Sequence, residues 1–191
     1  MQVGEIFRSP SPRQGDRPTV DDLPNLWFHT QTPGAKDIKL DKGIWAIAPI
    51  PTPSGSRRPA IILSSTLHKA GGEQTPWQDV YDLDRGRLRY FGDNRTPGKD
   101  PATQQGNKAL LEQLPLHTST DRDERRSSAP LVIFRRVVHN AKAKGHVAFQ
   151  GFGIIDRVEL ITQIDPRSSR SFTNYVFEIA ILSLQKEHEL F

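Results

Sequence analysis

The 191-residue chain contains no cysteine, which excludes disulfides, cysteine-ligated zinc and thiol chemistry and fits a reducing compartment. It has no run approaching the roughly 18 apolar residues that a membrane-spanning helix needs. Its opening residues, MQVGEIFRSPSPRQGDRP, lack the apolar core of a signal peptide. A soluble, cytoplasmic protein with no membrane partner is the expectation. Catalytic signatures are missing too. The six histidines, His29, His68, His117, His139, His146 and His188, form neither HExxH nor a two-histidine-one-carboxylate grouping. P-loop, GxSxG and GxGxxG patterns fail, because GFG at 151–153 lies between strand-like runs and not at a strand-to-helix turn. Asp156 and Glu159 precede LITQ, without the lysine that phosphodiester chemistry wants beside a metal-bound carboxylate. The chain is therefore expected to hold no catalytic site, no metal and no cofactor.

What the chain has in quantity is punctuation. Fifteen prolines and fourteen glycines, scattered along its length, oppose long helices and favour strands joined by loops. Residues 1–35 read as a polar N-terminal arm with one apolar anchor, LWFH at 26–29. Strands are predicted over GIWAIAPIP at 43–51 and over RPAIILSS at 58–65, whose unbroken apolar run implies burial on both faces. QDVYDL and RLRYFG form a strand pair around DRG, a turn in which Gly86 takes positive φ. The segment 93–107 is too polar to pack as an element and reads as a functional loop. KALLEQL at 108–114 is a short helix, and 117–129 an exposed connection. PLVIFRRVV at 130–138, GHVAFQGFGIIDRVELITQI at 145–164 with a break near Gly151 and Gly153, and FTNYVFEIAILSL at 172–184 supply further strands. QKEHELF at 185–191 starts a helical pattern without a cap, as the beginning of a linker to an absent C-terminal domain. The fold class is α+β, mainly β: a curved sheet or open barrel with one or two short helices.

Twenty-six Lys and Arg against twenty-two Asp and Glu give a formal charge of +4. The basic residues cluster at loops and strand ends, a distribution that suits a surface following phosphates, although loop charges are also common without any partner. WQDVYDLDRGRLRYFGDN at 77–94 sets rings and carboxylates into this basic background. A base rotated out of a duplex can be held by rings against its faces and by a fixed polar group on its edge. A carboxylate is the natural acceptor for an exocyclic amino group, which cytosine and adenine both carry. Asp82 is then the candidate acceptor, and Trp77 and Tyr90 the candidate ring faces. The plainer alternative makes Asp82 and Asp84 turn residues before Gly86 and places both rings in the core.

The run AIILSS…VYDLDRGRLRYFGDNR resembles the signature of SRA-type (PUA-like) domains, which read 5-methylcytosine by base flipping. AIILSS at 60–65 matches their first strand, Asp82 to Gly86 their D-x-D-x-G turn, and Tyr90-Phe91-Gly92 their Tyr-x-Gly strand end. The usual GGY and its pocket tyrosine are replaced by the insertion TLHKAGGEQTPWQ. That departure, with FGDNR…GN.ALL at 91–111 and F.GFG…FTNYVFE at 149–178, is similar to the MspJI and AspBHI type of modification-dependent, type IV-like restriction endonuclease.

The resemblance implies an SRA-like domain over 36–184 that binds double-stranded DNA carrying 5-methylcytosine or a related modified cytosine. It gives Asp82 the cytosine amino group and Trp77 and Tyr90 the ring faces. Asp79 falls where the pocket tyrosine usually stands, and a second carboxylate there is unexplained. Asp84 is expected to close the turn. Asn94, Arg95, Lys99 and Gln104 are candidates for neighbouring bases, and Arg57, Arg58, Arg87 and Arg89 for phosphates. Cleavage in such enzymes belongs to a separate nuclease domain, which would need a divalent metal such as Mg and could also carry homo-oligomer contacts. Two other readings are a reader of modified RNA on a related barrel, and a small hydrolase using His139 or His146 with Asp156.

Overall fold

The apolar run at 60–65 becomes the strand from which the sheet is built. The computed structural model describes residues 1–9, 16–31, 43–53, 55–65, 79–82, 84–142, 144–165 and 168–182. Ile61–Ser65 is buried at all five positions. In chain order the strands are β1 (Ile6–Arg8), β2 (Thr19–Val20), β3 (Leu23–Pro24), β4 (Ile44–Ala46), β5 (Ile50–Thr52), β6 (Gly55–Arg57), β7 (Ile61–Ser65), β8 (Val80–Asp82), β9 (Arg87–Phe91), β10 (Leu131–Arg136), β11 (His146–Ile164) and β12 (Ser171–Leu182). The helices are α1 (Leu26–His29), α2 (Gln105–Thr118) and α3 (Arg122–Ser127).

Eight strands form one sheet in the order β4-β7-β10-β11-β12-β9-β8, with β1 added to β11. β7 and β10 run parallel, and every other pair in this sheet is antiparallel. Alternate residues of β7 and β10 serve two cores, as the pleat requires. Ile61, Leu63, Leu131 and Ile133 pack with Leu88, Tyr90, Phe177, Ile179 and Leu110 of α2. Ile62, Val132 and Phe134 pack on the other side with Phe7, Leu26, Val147 and Phe149. Phe7 and Leu26 bind β1 and α1 to the sheet; Leu26 is the anchor expected within LWFH.

The sheet is open but curls. The Tyr90 hydroxyl on β9 donates to the Gly43 carbonyl just before β4, 2.7 Å away, although β9 and β4 lie near opposite ends of the strand order. Two bulges help it to bend. Ile133 pairs with Gly151 but Phe134 with Phe149, leaving Gln150 as an extra residue. Ile155 pairs with Ile179 but Arg157 with Glu178, leaving Asp156 extra. Gly151 takes φ +127°, which side-chain-bearing residues rarely adopt. The break expected near Gly151 and Gly153 is thus a bulge inside one nineteen-residue strand.

Other local expectations are corrected as well. The helix expected over 108–114 extends over 105–118, and 117–129 contains the short helix α3, capped by Asp121. The segment 93–107 is held by a buried polar network and includes a 3₁₀ turn at Pro101–Thr103. The span 185–191 lies outside the described residues. No helix of the described residues is long and apolar enough to cross a membrane.

His117 ties α2 to the sheet. Its Nδ1 accepts from the Ile155 amide at 3.1 Å, so Nε2 carries the proton toward the Ala129 carbonyl at 3.0 Å. Burial depresses its pKa, and His146 is shifted the same way. A histidine whose folded pKa lies below its unfolded value contributes stability that is complete above the unfolded value, near 6.5. That contribution falls as acidity carries the pH down to the folded value, because the unfolded chain binds the proton first. The urea midpoint is therefore expected to drop between pH 7.5 and 5.5. A midpoint that holds or rises over that interval contradicts this account.

Candidate nucleic-acid interface

The turn joining β8 to β9 is closed by Asp82. Its Oδ1 accepts the Arg85 amide at 3.2 Å and its Oδ2 lies 3.8 Å from Arg85 Nε, while Gly86 takes φ +60°. Asp84 is exposed. In this structure Asp82 is a turn-closing carboxylate, and its side chain is about half exposed.

The inward residues here are Asp79, just before β8, and Tyr81 within it. Val80 between them is 55% exposed, so the pleat turns odd-numbered residues inward and Asp82 outward. Asp79 Oδ1 accepts the Phe91 amide at 3.0 Å. Its carboxylate is buried beside Tyr90 and Tyr81, and its charge raises the pKa of both hydroxyls. Burial is the larger cause in each. Ser64 and Ser65 at the end of β7 are buried, and Ser65 lies opposite Arg135 in the parallel register. The Arg135 guanidinium sits over the Tyr81 ring, 5.5 Å from its centroid. The Ser65 hydroxyl opposes the rise in the Tyr81 pKa but forms no well-made hydrogen bond with it. Buried Ser64 Oγ and Tyr81 Oη have no hydrogen-bond partner among the described residues.

Tyr90 belongs to the same cluster but has no open face. Its ring is 0% exposed and packs in the core, with its hydroxyl on the Gly43 carbonyl. The ring surface expected of it is covered in this structure. Trp77, like all of 66–78, lies outside the described residues.

Beside the cluster, the sequence FGDN…GN becomes a network of buried amides. Asp93 accepts the Gly106 and Asn107 amides at 2.9 and 3.1 Å, capping α2 from a distance where Gln104 supplies no side-chain cap. Asn107 Oδ1 accepts the Asp93 amide, and its Nδ2 donates to Asn174 Oδ1 and the Pro101 carbonyl. Asn174 Nδ2 donates to the Gly92 carbonyl at 3.0 Å. Asn94 is 1% exposed; its Nδ2 donates to the Thr173 carbonyl at 2.7 Å and its Oδ1 accepts the Thr96 amide. Asn94, a candidate for neighbouring bases, has both ends of its amide committed to backbone in this structure.

The arginines divide in the same way. Arg87 pairs with Asp156 at 2.7 Å, and Arg89 with Glu159 and Glu178 at 3.5 and 3.6 Å. Arg58 donates to the Ile47 carbonyl and pairs with Glu112. In this structure Arg58, Arg87 and Arg89, the expected phosphate contacts, carry matched charge across neighbouring elements. Arg57, Arg95 and Lys99 are exposed, and Gln104 is half-buried at the start of α2. Arg95 is near enough to Tyr90 to act on its hydroxyl.

Sequence reasoning missed Tyr81 and Arg135 and left Asp79 without a role. The available signal was alternation: taking Val80 as outward places Asp79 and Tyr81 together. The hydrolase residues do not meet. His139 and His146 have ring centroids 5.3 Å apart, whereas Asp156 is ten residues farther along β11, roughly 30 Å away at strand rise. Among the described residues no group of three or more His, Asp or Glu side chains could hold a metal ion.

Comparison with known proteins accords with this architecture. No curated protein matches the chain. The structure of the MspJI restriction endonuclease in complex with a 27-mer oligonucleotide is similar over 95% of this chain, at 38% identity and TM-score 0.84. The chain spans 42% of the MspJI chain. The DNA recognition domain of the cytosine modification-dependent restriction endonuclease LpnPI shares the fold, with TM-score 0.66 and 20% identity over 95% of this chain and 74% of that one. The DNA modification-dependent restriction endonuclease AspBHI shares it at TM-score 0.50 and 21% identity, over 66% of this chain and 60% of that one. The family model for the N-terminal domain of restriction endonuclease AspBHI matches residues 14–188. That match takes in the polar cluster at the rim and every strand of the curled sheet except β1, and the chain belongs to the family of restriction endonuclease AspBHI N-terminal domains.

Proposed function

We propose that this domain binds double-stranded DNA carrying 5-methylcytosine or a related modified cytosine, and reads that base after it leaves the helix. The observation that carries the reading is the buried polar cluster: Asp79 beside Tyr81, Tyr90, Ser64 and Ser65, with two hydroxyls lacking partners among the described residues. Buried polar groups are nearly always paired, so orphaned hydroxyls mark a place where a polar ligand belongs. A cytosine edge has one amino donor and two acceptors, N3 and O2. That pattern suits one carboxylate among hydroxyl donors.

In this reading Asp79 takes the amino group, the role first expected of Asp82, whose oxygens serve the turn. Trp77 remains the proposed ring face from the inserted segment, and Tyr90 contributes its ring once the packing over it opens. Arg57, Arg95, Lys99 and Gln104 are left for backbone and neighbouring-base contacts. Cleavage, a divalent metal such as Mg and any homo-oligomer contact are assigned to a nuclease domain outside this chain. The 27-mer oligonucleotide in the MspJI structure supports a nucleic acid as the partner class and the DNA recognition domain of LpnPI supports DNA, and no observation favours the RNA reader.

The test is equilibrium binding to duplexes that differ only in one methyl group on cytosine. The methylated duplex is expected to bind about tenfold tighter or more, the scale of one good base contact. Equal affinities would refute the proposal.

A further inference from the structure

The polar cluster has a cationic side that the base-reading role does not use. Arg135, next to last in β10, is half-buried, opposite Ser65 and over the Tyr81 ring. The arginines of the β8–β9 hairpin, Arg85, Arg87 and Arg89, all pair with carboxylates, and Arg58 pairs with Glu112. Arg135 has no carboxylate within ion-pair distance among the described residues. A half-buried guanidinium is screened less than an exposed one, so leaving it without a counter-charge is costly unless an anion arrives. Ser64 Oγ, itself 3% exposed, and Tyr81 Oη are buried donors without partners at the same rim.

We infer that Arg135, held over Tyr81 beside the buried serines of β7, grips the backbone phosphate next to the nucleotide that leaves the duplex. The inference rests on the base-reading proposal and adds to it the group that holds the strand. A base that rotates out remains tied to two phosphates, which must approach the rim of whatever receives it. Stacking on an aromatic ring fixes the plane of a guanidinium and leaves its N–H groups able to bind phosphate in a bidentate manner. Tyr81 thus orients Arg135, while Asp79, just before β8, faces the base. The hairpin beyond Arg135 adds exposed Lys142 and Lys144 near this end of the sheet.

The experiment is a double-mutant cycle between protein and DNA. Arg135→Gln is expected to weaken binding of the methylated duplex about tenfold and to reduce the slope of log affinity against log salt by about one, with methyl discrimination intact. Replacing the phosphate beside the methylcytosine by a neutral methylphosphonate should weaken the wild type about tenfold and Arg135→Gln hardly further. Arg135→Lys should keep the salt slope, and thermal melting reports whether each variant is folded. If the methylphosphonate penalty is as large in Arg135→Gln as in the wild type, Arg135 serves only to pack Tyr81 and the inference fails alone. A wild type without methyl discrimination defeats the base-reading proposal and takes this inference with it.

Discussion

Asp79→Asn should bind methylated and unmethylated duplexes with nearly equal affinity, while Asp82→Ala keeps the preference. Asparagine can retain the acceptor that Asp79 Oδ1 presents to the Phe91 amide at 3.0 Å, so the strand start need not unravel. What it loses is the negative charge, and what it gains is an amide donor where a cytosine amino group would also donate. Removing a charged acceptor from a buried contact costs about 1.5–3 kcal/mol, a loss of roughly ten- to a hundredfold in affinity for the cognate duplex. Binding held by phosphate contacts alone should persist at low salt, because those contacts carry no sequence information. Asp82 serves the Arg85 amide and an exposed ion pair, and such pairs are worth about 0–1 kcal/mol. Its removal should loosen the turn slightly and leave discrimination in place. Loss of discrimination in Asp82→Ala with retention in Asp79→Asn would reverse the assignment.

Gly92→Ala should destabilise the domain by about 2–4 kcal/mol, as the sum of overpacking and broken buried hydrogen bonds. A Cβ on Gly92 would collide with Asn107 Oδ1 and come within 2.8 Å of Asn174 Oδ1. Neither amide can yield cheaply. Asn107 joins the Asp93 amide, the Pro101 carbonyl and Asn174, and Asn174 returns to the Gly92 carbonyl. A shift of either would leave buried donors and acceptors unmatched and would uncap α2, whose first amides depend on Asp93. Urea denaturation followed by far-UV circular dichroism reads the loss directly. A stability within 0.5 kcal/mol of wild type, about the scatter of neutral surface changes, would mean that the network relaxes without cost.

The parts of the fold that could be read from sequence are those where a single local signal dominates. AIILSS announces a doubly buried strand because no polar residue interrupts its first four positions, and β7 is buried throughout. DRG announces a turn because its glycine adopts a φ of +60° without the steric cost a side chain brings. β11 was harder. Its glycines are signals for breaks in isolation, but here they let one strand pass close to Ile133, Ile179 and Ile181. The polar loop 93–107 lacks apolar residues because amides and not methyl groups hold it, a cohesion that only pairing with Asn174, far along the chain, reveals.

The candidate site was legible as a segment but not as a set of side chains. Val80 looks like an inward residue and is outward, so the inward side chains here are those of Asp79 and Tyr81. The acids that neutralise Arg87 and Arg89 come from β11 and β12, so no window around the arginines could show that they are matched. Arg135 reaches Tyr81 only because the sheet curls.

The parallel pairing of β7 with β10 also bears on how this molecule is made. The β8–β9 hairpin, α2 and α3 all lie within the crossover between Ser65 and Leu131, and that crossover closes only when two strands far apart in sequence align. Long-range pairing of this kind is slow compared with local hairpin closure. Tyr81 and Tyr90 can face one another early, but Ser64, Gly43 and Arg135 join them only after the chain has closed over most of its length. The cluster is therefore a late product of folding, and a nascent chain that has not yet made β10 carries the turn and the rings without the arginine.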